Sequence, residues 1–266
     1  MNPFVVTCRP GPLRLFASLA ALALLCSCST SAERVSALPW QASRQAIVVV
    51  VADWNSQRGT LHAYERSGTT WREALPAHEV MVGRSGSAWG LGLHPAMGEG
   101  PVKREGDGRS PAGVFAIGHA FGYADAAATA LPYDAMRGSH YCMDVPASPL
   151  YNRIVDADLV GAAAVAGSTE PMRLDLHSAG DPRYKLGFVI EHNAAARANA
   201  GSCIFAHLRR SGSEPTAGCT SMDEPRMQAL LGWLRPEARP VFVLMPESEY
   251  RRVQAGWRLP SIGAAP

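Results

Sequence analysis

The sequence lacks both the charge imbalance of a nucleic-acid-binding protein and the long apolar run of a membrane-spanning one. It has 25 basic and 23 acidic residues, and Arg9 and Arg14 are the only charged residues among the first 28. The rest of the chain therefore carries 23 residues of each sign and no basic run, so we expect no nucleic-acid partner. The apolar run from Leu15 to Leu25 is also too short for a bilayer, which takes roughly 17–25 residues.

The N-terminal segment is typical of a bacterial export signal. Two arginines precede the apolar run, and Leu25-Cys26-Ser27-Cys28 resembles a lipobox. We interpret residues 1–28 as a signal peptide and lipobox with Cys28 as the lipidated residue, because Leu25 is a poor residue before a cleavage at Cys26. The alternative is an ordinary signal peptide cleaved near Ala32. We expect an exported protein of the periplasm or cell envelope, tethered to a membrane through Cys28.

Cysteine is scarce in the exported part of the chain. Of the six cysteines, three follow the lipobox: Cys142, Cys203 and Cys219. An oxidising compartment could pair two of them, and an odd number leaves at least one free thiol. The count does not say which one is free, although a Cys142–Cys203 pair would leave Cys219 unpaired.

Nothing in the chain divides it into repeats or low-complexity tracts. We interpret residues 29–46 as a tether, residues 47–250 as a single domain and residues 251–266 as a C-terminal tail. Short β-branched runs between glycines and prolines predict mostly strands. The predicted strands are Ile47–Val51, Thr60–Tyr64, Val80–Val82, Val114–Ile117, Phe188–Glu191, Ile204–His207 and Val241–Met245.

One helix is predicted after residue 222. Pro225 suits a first helical turn, and Asp223 and Glu224 favour the positive end of the helix dipole. Apolar residues then recur with helical spacing until Pro236. These apolar residues are Met227, Leu230, Leu231 and Leu234.

A cysteine and a histidine lie close together in the sequence, with His207 twelve residues before Cys219. A histidine can favour the thiolate that makes cysteine a nucleophile. Gly218 would allow a tight turn whose backbone N–H groups point at an oxyanion. Buried cysteines and core histidines are also common, so the pair alone leaves a structural role open.

Further segments make the pattern specific. Lys103 to Phe115 contains Lys, Gly-Asp, Ser-Pro and Gly-Val-Phe, and it precedes His207 and Thr216-Ala217-Gly218-Cys219. In this order the motifs resemble the L,D-transpeptidase catalytic-domain family, also called YkuD-like. The similarity covers roughly residues 47–245. It implies a mainly β fold of mixed sheets or a sandwich, with one or two helices, for an L,D-transpeptidase-like catalytic domain over 47–250.

The resemblance also implies roles for individual residues. Cys219 would be the nucleophile, His207 the general base, and the backbone carbonyl of Leu208 the third member. Backbone N–H groups around Gly218 and Cys219 would form an oxyanion hole, and Thr216 would stabilise the turn or be a plain turn residue. The substrates would be peptidoglycan stem peptides, and no cofactor is expected.

The sequence departs from the family pattern on both sides of the nucleophile. Many members have histidine and arginine where this chain has Ala217 and Ser221, so substrate recognition is expected to differ. His192 and Arg153 are candidates to compensate. Tyr141 and Asp144, in a segment that accompanies the motifs, are further candidate substrate contacts.

Three alternatives remain open. An L,D-carboxypeptidase or endopeptidase would use the same thiol with water as the acceptor. A non-catalytic peptidoglycan-binding module would keep the fold without turnover. A zinc peptidase would use scattered histidines such as His140 and His177, although the sequence has no His-Glu-x-x-His and no tight ligand spacing.

Overall fold

The computed structural model describes residues 37–263, together with Met1, Pro3 and Gly11 individually. The predictions made for the lipobox and for Cys28 lie outside the described residues. Strands make up 33% of the structure and helices 16%, so the protein is mainly β. Among the described residues, no helix combines the length and the apolar character needed to cross a bilayer.

Thirteen strands and four α-helices follow one another along the described chain. The strands are β1 Gln45–Val51, β2 Arg58–Ser67, β3 Thr70–Met81, β4 Ser87–Trp89, β5 Ser110–Gly122, β6 Tyr133–Ala135, β7 His140–Cys142, β8 Ile154–Asp156, β9 Glu170–Pro171, β10 Leu186–Ile190, β11 Phe205–Leu208, β12 Thr220–Met222 and β13 Val241–Pro246. The helices are α1 Ala157–Val160, α2 Leu174–His177, α3 Glu224–Trp233 and α4 Glu247–Trp257.

The main sheet closes on itself. Its strand order is β10-β11-β12-β3-β2-β1-β13-β5, and β5 pairs again with β10. Closure depends on the length of β5, whose first half pairs with β13 and whose second half pairs with β10. Pairing is mixed, as expected, with β1–β13 and β11–β12 parallel. The expectation of mixed sheets or a sandwich did not specify that the main sheet closes.

The largest core cluster is built on the strands of this closed sheet and includes residues of α3 and α4. Val48 and Val243 are opposite each other in the β1–β13 ladder, and both are fully buried. β1 is buried on both faces, which explains its continuous β-branched run. Helix α3 covers one side of the sheet, and its buried residues are those that helical spacing predicted.

A glycine of the Lys103 to Phe115 motif is required by packing in β5. Gly113 has a φ of +139°, and a Cβ atom there would lie 1.9 Å from the imidazole of His94. His94 in turn accepts a hydrogen bond from the Val114 N–H at 3.1 Å. Only glycine fits both the backbone angle and the space.

Seven strands were predicted and all are present, although β3 and β5 are much longer than expected. The missed strands have two or three residues, too few for a periodic pattern.

The predicted tether and tail boundaries are wrong. Trp40 is buried and β1 begins at Gln45, while α4 runs across the expected boundary at residue 250. Leu259, in the predicted tail, is buried as well.

A small second sheet, β8-β7-β9, lies next to the loop that precedes β11. A disulfide between Cys142 in β7 and Cys203 in that loop joins the two. Cys219 is the free cysteine of the described chain. The pairing is therefore the one that leaves the motif cysteine unpaired.

Candidate active site

Two neighbouring parallel strands bring His207 and Cys219 to one cavity. In the β11–β12 ladder His207 lies opposite Ser221, and Cys219 immediately precedes β12. Residues two apart on a strand share a face, so Cys219, Ser221 and His207 point to the same side. All three line a cavity of about 600 Å³.

The imidazole of His207 is oriented by its own strand. Its Nδ1 lies 2.7 Å from the backbone carbonyl oxygen of Leu208. A carbonyl can only accept, so Nδ1 carries the proton and the neutral ring presents an unprotonated Nε2. The ring also packs edge-on against Tyr184, with centroids 5.3 Å apart. This is the arrangement of a histidine ready to accept a proton at Nε2.

The thiol of Cys219 lines the cavity and is 8% exposed. Its Sγ accepts a hydrogen bond from the Phe205 N–H at 3.3 Å and donates to the Cys203 carbonyl at 3.5 Å. Burial raises the thiol pKa to about 12, and burial lowers the pKa of His207 to about 4. Both groups are therefore neutral at pH 7, so a resting thiolate is not stored in this site.

The turn that carries Cys219 is held by hydroxyl groups. The Thr216 hydroxyl accepts from the Gly218 N–H at 3.1 Å and donates to the Cys219 carbonyl at 2.6 Å. A second hydroxyl, that of Ser110, donates to the same carbonyl at 3.0 Å. A Cβ atom at Gly218 would lie 3.2 Å from the Arg109 carbonyl oxygen, tighter than most real contacts. Thr216 thus stabilises the turn, and Ser110 anchors it to β5.

The expected oxyanion hole needs a correction. The Gly218 N–H points back to the Thr216 hydroxyl and is not free to bind an oxyanion. The Cys219 N–H, by contrast, has no acceptor among the described residues. It is therefore a backbone donor of this turn that an oxyanion could use.

The Lys103 to Phe115 motif builds a turn beside the cavity. Asp107 accepts from the Lys103 ammonium at 2.6 Å and from the backbone N–H groups of Arg104 at 2.8 Å and Arg109 at 2.9 Å. The turn leads directly into Ser110, which starts β5. The motif therefore supports the Cys219 turn through Ser110, a role that the sequence did not indicate.

Of the four predicted substrate contacts, Asp144 lines the cavity and the other three lie elsewhere. Tyr141 packs edge-on against His177, with centroids 5.8 Å apart, and Arg153 is exposed away from the cavity. His192 is 2% exposed. Its Nδ1 accepts from the Leu91 N–H and its Nε2 donates to the Ala200 carbonyl. The structure therefore does not bring Tyr141, Arg153 or His192 to this cavity.

The cavity also has lining residues that the sequence did not single out. Glu170 comes from β9, and Tyr184, whose hydroxyl donates to Glu170, precedes β10. Burial raises the pKa of Glu170 to about 7. The ionised Glu170 carboxyl in turn contributes to the high pKa of Cys219. No sequence motif marks Glu170 or Tyr184. Glu170 belongs to the small sheet, which the disulfide joins to the loop before β11, so its place in the cavity depends on the fold and not on a local pattern.

Within residues 37–263, no group of three or more His, Cys, Asp or Glu side chains is placed to hold a metal ion. Comparison with protein-family models, with curated proteins and with solved structures found no match to this chain.

Proposed function

We propose that the protein is an exported, cysteine-dependent L,D-transpeptidase that acts on peptidoglycan stem peptides through an acyl-enzyme on Cys219. The observation that carries the proposal is the Nδ1 contact of His207 with the Leu208 carbonyl. It leaves Nε2 as a base in the same cavity as a free thiol. The motif resemblance and the mainly β fold support the same family, and with it the YkuD-like form of the fold.

The proposed first half-reaction starts from two neutral groups. As Cys219 Sγ attacks the carbonyl carbon of an amide between an L-centre and a D-residue, the thiol proton passes to His207 Nε2. The Cys219 N–H stabilises the oxyanion. The C–N bond then breaks, the proton moves from Nε2 to the leaving amine, and a thioester remains on Sγ.

The second half-reaction depends on the acceptor. A primary amine loses a proton to Nε2 and attacks the thioester carbon. The C–S bond then breaks and the proton moves from Nε2 to Sγ, which gives a new amide and restores the thiol. Water in the same position gives a carboxylic acid instead, the outcome of an L,D-carboxypeptidase or endopeptidase. Because both routes need Cys219 and His207, variants of these residues cannot distinguish transfer from hydrolysis. The products can: a new amide indicates transfer to an amine, and a carboxylic acid indicates hydrolysis.

The test is mass spectrometry of the purified protein after incubation with a carbapenem, and separately with a disaccharide-tetrapeptide. We expect an adduct on Cys219 that is lost in Cys219→Ala and strongly reduced in His207→Ala. Cross-linked products would indicate transfer to an amine, and shortened products would indicate hydrolysis. Turnover should be the same with and without a chelator.

An unmodified Cys219 with intact muropeptides would overturn the proposal. If the protein still bound sacculi, it would be a peptidoglycan-binding module. Ser148→Ala is a suitable control variant, because Ser148 does not line the cavity. It should form the Cys219 adduct like the unsubstituted protein.

We also propose that the mature protein is held at the cell envelope through a lipid on Cys28. The sequence evidence is the lipobox-like segment before that residue. Intact mass of the mature protein tests this: a diacylated N-terminal Cys28 is expected. An unmodified N-terminus near Ala32 would support simple secretion.

A further inference from the structure

A second cavity, of about 840 Å³, has no lining residue in common with the cavity of His207 and Cys219. It lies between the β2–β3 turn, residues 67–70, and the C-terminal end of α4. We call it the hairpin cavity. The Trp71 indole N–H donates to the Arg258 carbonyl at 3.2 Å, so a hydrogen bond joins the hairpin to the helix end.

The charge of the hairpin cavity is positive. Arg66 and Arg258 line it, and no aspartate or glutamate does. Every acidic residue of β2, β3 and α4 has another partner. These pairs are Glu65–Arg235, Glu73–His62, Glu79–Arg58, Glu247–Arg251 and Glu249–Arg252. The unpaired positive charge of this cavity therefore suits an anionic ligand.

The guanidinium group of Arg66 is held in place by the protein itself. Arg66 lies opposite Trp71 in the β2–β3 ladder, and its guanidinium stacks on the indole, 5.1 Å from the ring centroid. One of its N–H groups donates to the Gln41 carbonyl. Burial lowers the pKa of Arg66, and no carboxylate charge opposes that effect. A stacked guanidinium keeps further N–H donors at its edge, and their fork matches two oxygens of a phosphate.

Arg258 occupies a position where glycine is the usual residue. It follows α4 with a φ of +53°, in the left-handed region. Helices commonly end on a glycine in this conformation, because a Cβ atom there costs stability. Arginine at this place is therefore no advantage for the helix end, whereas it adds a second guanidinium group to the hairpin cavity.

The hairpin cavity is close to the point where the chain enters the domain. Gln41 lines the cavity, and the domain begins at residue 37. Four residues span at most about 14 Å, so residue 37 lies within that distance of Gln41. The chain from Cys28 to residue 37 spans at most about 30 Å. A lipid on Cys28, as proposed above, would therefore keep this side of the domain near a bilayer.

The aromatic and basic residues of the cavity also fit a membrane surface. Tryptophan is enriched at the headgroup level of membranes, where its ring contacts apolar groups and its N–H remains in a polar layer. Arginine places its charged end in the same layer. Trp71 and the two arginines combine both properties on one side of the domain.

We propose that the hairpin cavity binds the phosphate group of an anionic phospholipid headgroup through the guanidinium groups of Arg66 and Arg258. The hydroxyls of Thr70 and Ser261 line the same cavity and are neutral donors. The site is defined by charge and geometry, whereas the choice of a lipid over a soluble phosphate rests on the proposed lipid at Cys28. A headgroup bound here would fix the orientation of the domain on the membrane, which an anchor on one terminal residue does not do.

Calorimetry of the mature protein with soluble probes tests the site. The probes are inorganic phosphate and glycerophosphoglycerol, which is the headgroup of phosphatidylglycerol without its acyl chains, and glycerol is the uncharged reference. We expect both phosphate probes to bind and glycerol not to bind. Arg66→Gln and Arg258→Gly should each weaken binding roughly tenfold, as for the loss of a charge-assisted hydrogen bond.

Arg258→Gly separates binding from stability. Because glycine suits the left-handed position, the unfolding midpoint of this variant should equal or exceed that of the unsubstituted protein. An arginine with a purely structural role would give the opposite pattern, a lower midpoint with unchanged binding. Arg252→Gln is the matched control: it removes one positive charge from α4, but Arg252 is paired with Glu249 and does not line the cavity. It should keep the full affinity for phosphate.

Vesicles distinguish a lipid headgroup from a soluble phosphate compound. The mature protein is mixed with vesicles of phosphatidylcholine, with and without phosphatidylglycerol, and backbone hydrogen exchange is followed by mass spectrometry. We expect slower exchange in residues 67–72 and 254–261 when phosphatidylglycerol is present. Arg66→Gln should lose this protection and Arg252→Gln should keep it. The comparison between the two kinds of vesicle is valid whether or not Cys28 carries a lipid.

Two results would overturn the inference. If neither phosphate probe binds, or if Arg66→Gln and Arg258→Gly bind them as tightly as the unsubstituted protein, the hairpin cavity is not a phosphate site. If the probes bind but phosphatidylglycerol gives no protection, the ligand is a soluble phosphate compound and the lipid assignment is wrong. Neither measurement involves the thiol of Cys219, so failure of this inference and failure of the proposed catalytic function are distinguishable.

Discussion

The Ser110 hydroxyl donates a 3.0 Å hydrogen bond to the carbonyl oxygen of Cys219, a residue 109 positions later in the chain. The same hydroxyl accepts from the Gly83 N–H at 2.9 Å. Ser110 is fully buried. One side chain therefore links the start of β5 to the turn that carries Cys219, and it gives a structural reason for the Ser-Pro element of the motif.

Ser110→Ala should lower both stability and activity. The Gly83 N–H would lose its acceptor in a buried place, which costs about 1–3 kcal/mol of unfolding free energy. The Cys219 turn would keep only the Thr216 hydroxyl, and a small displacement could reduce kcat/KM by up to about a hundredfold. Chemical unfolding and acylation kinetics measure the two effects. The exposed Ser213→Ala is the control, and an unaltered acylation rate in Ser110→Ala would show that the link does not position the nucleophile.

Alkylation of Cys219 should require high pH. Burial raises its pKa from 9.0 to about 12, so at pH 8 the thiolate is on the order of a thousand times scarcer than for an exposed cysteine. The iodoacetamide rate, followed by mass, should still be rising above pH 10. Ionised Glu170 also raises this pKa, so Glu170→Gln should shift the profile to lower pH. A plateau near pH 7 would instead indicate a stored thiolate.

The pH dependence of stability has two opposing sources. Burial lowers the pKa values of His192 and His207 to about 4 in the folded state. From about pH 4 to 6.5 the unfolded chain therefore binds more protons at these two sites, and stability rises with pH. Glu170, with a folded pKa of about 7 against 4.5, binds more protons when folded and opposes this between about pH 4.5 and 7.

The net expectation is a midpoint of thermal unfolding that rises between pH 4.5 and 6.5. Burial also lowers the pKa values of His78 and His94 and raises that of Glu191, so the histidines with lowered pKa values outnumber the glutamates with raised ones. In Glu170→Gln the opposing group is absent, so the rise should be steeper. Calorimetric scans at four pH values measure both slopes. Equal slopes in the two proteins would show that Glu170 titrates at its ordinary pKa in the folded state.

The Cys142–Cys203 disulfide should stabilise the fold substantially. It closes a separation of 61 residues, for which the chain-entropy estimate is about 4 kcal/mol. A reductant should therefore lower the unfolding midpoint. Cys142→Ala/Cys203→Ala should have the lower midpoint already and should not respond to reductant. A full response in the double variant would indicate that the reductant acts at another site.

Sequence reasoning predicted that His207 and Cys219 belong together, and both line one cavity, but it did not predict most of the other lining residues. His207 and Cys219 could be found because their spacing and flanking residues are local. Glu170 and Ser110 could not, since a small sheet and a long strand bring them to the cavity from distant positions. His192 does not line the cavity, and both of its ring nitrogens are hydrogen-bonded to backbone, which its position beside a strand did not indicate.

The last helix should be essential for folding, contrary to the sequence-based expectation of a tail after residue 250. Trp40 donates to the Trp257 carbonyl at 2.9 Å, and the two rings pack 5.3 Å apart. Val253 and Leu259 are each 6% exposed. Leu259→Ala should cost about 2–5 kcal/mol of unfolding free energy, whereas the exposed Arg252→Ala should cost less than about 1 kcal/mol.

Chain truncation after residue 250 should remove enough buried surface that no cooperative unfolding transition remains. A truncated chain that melts like the full one would mean that this helix adds nothing to the core.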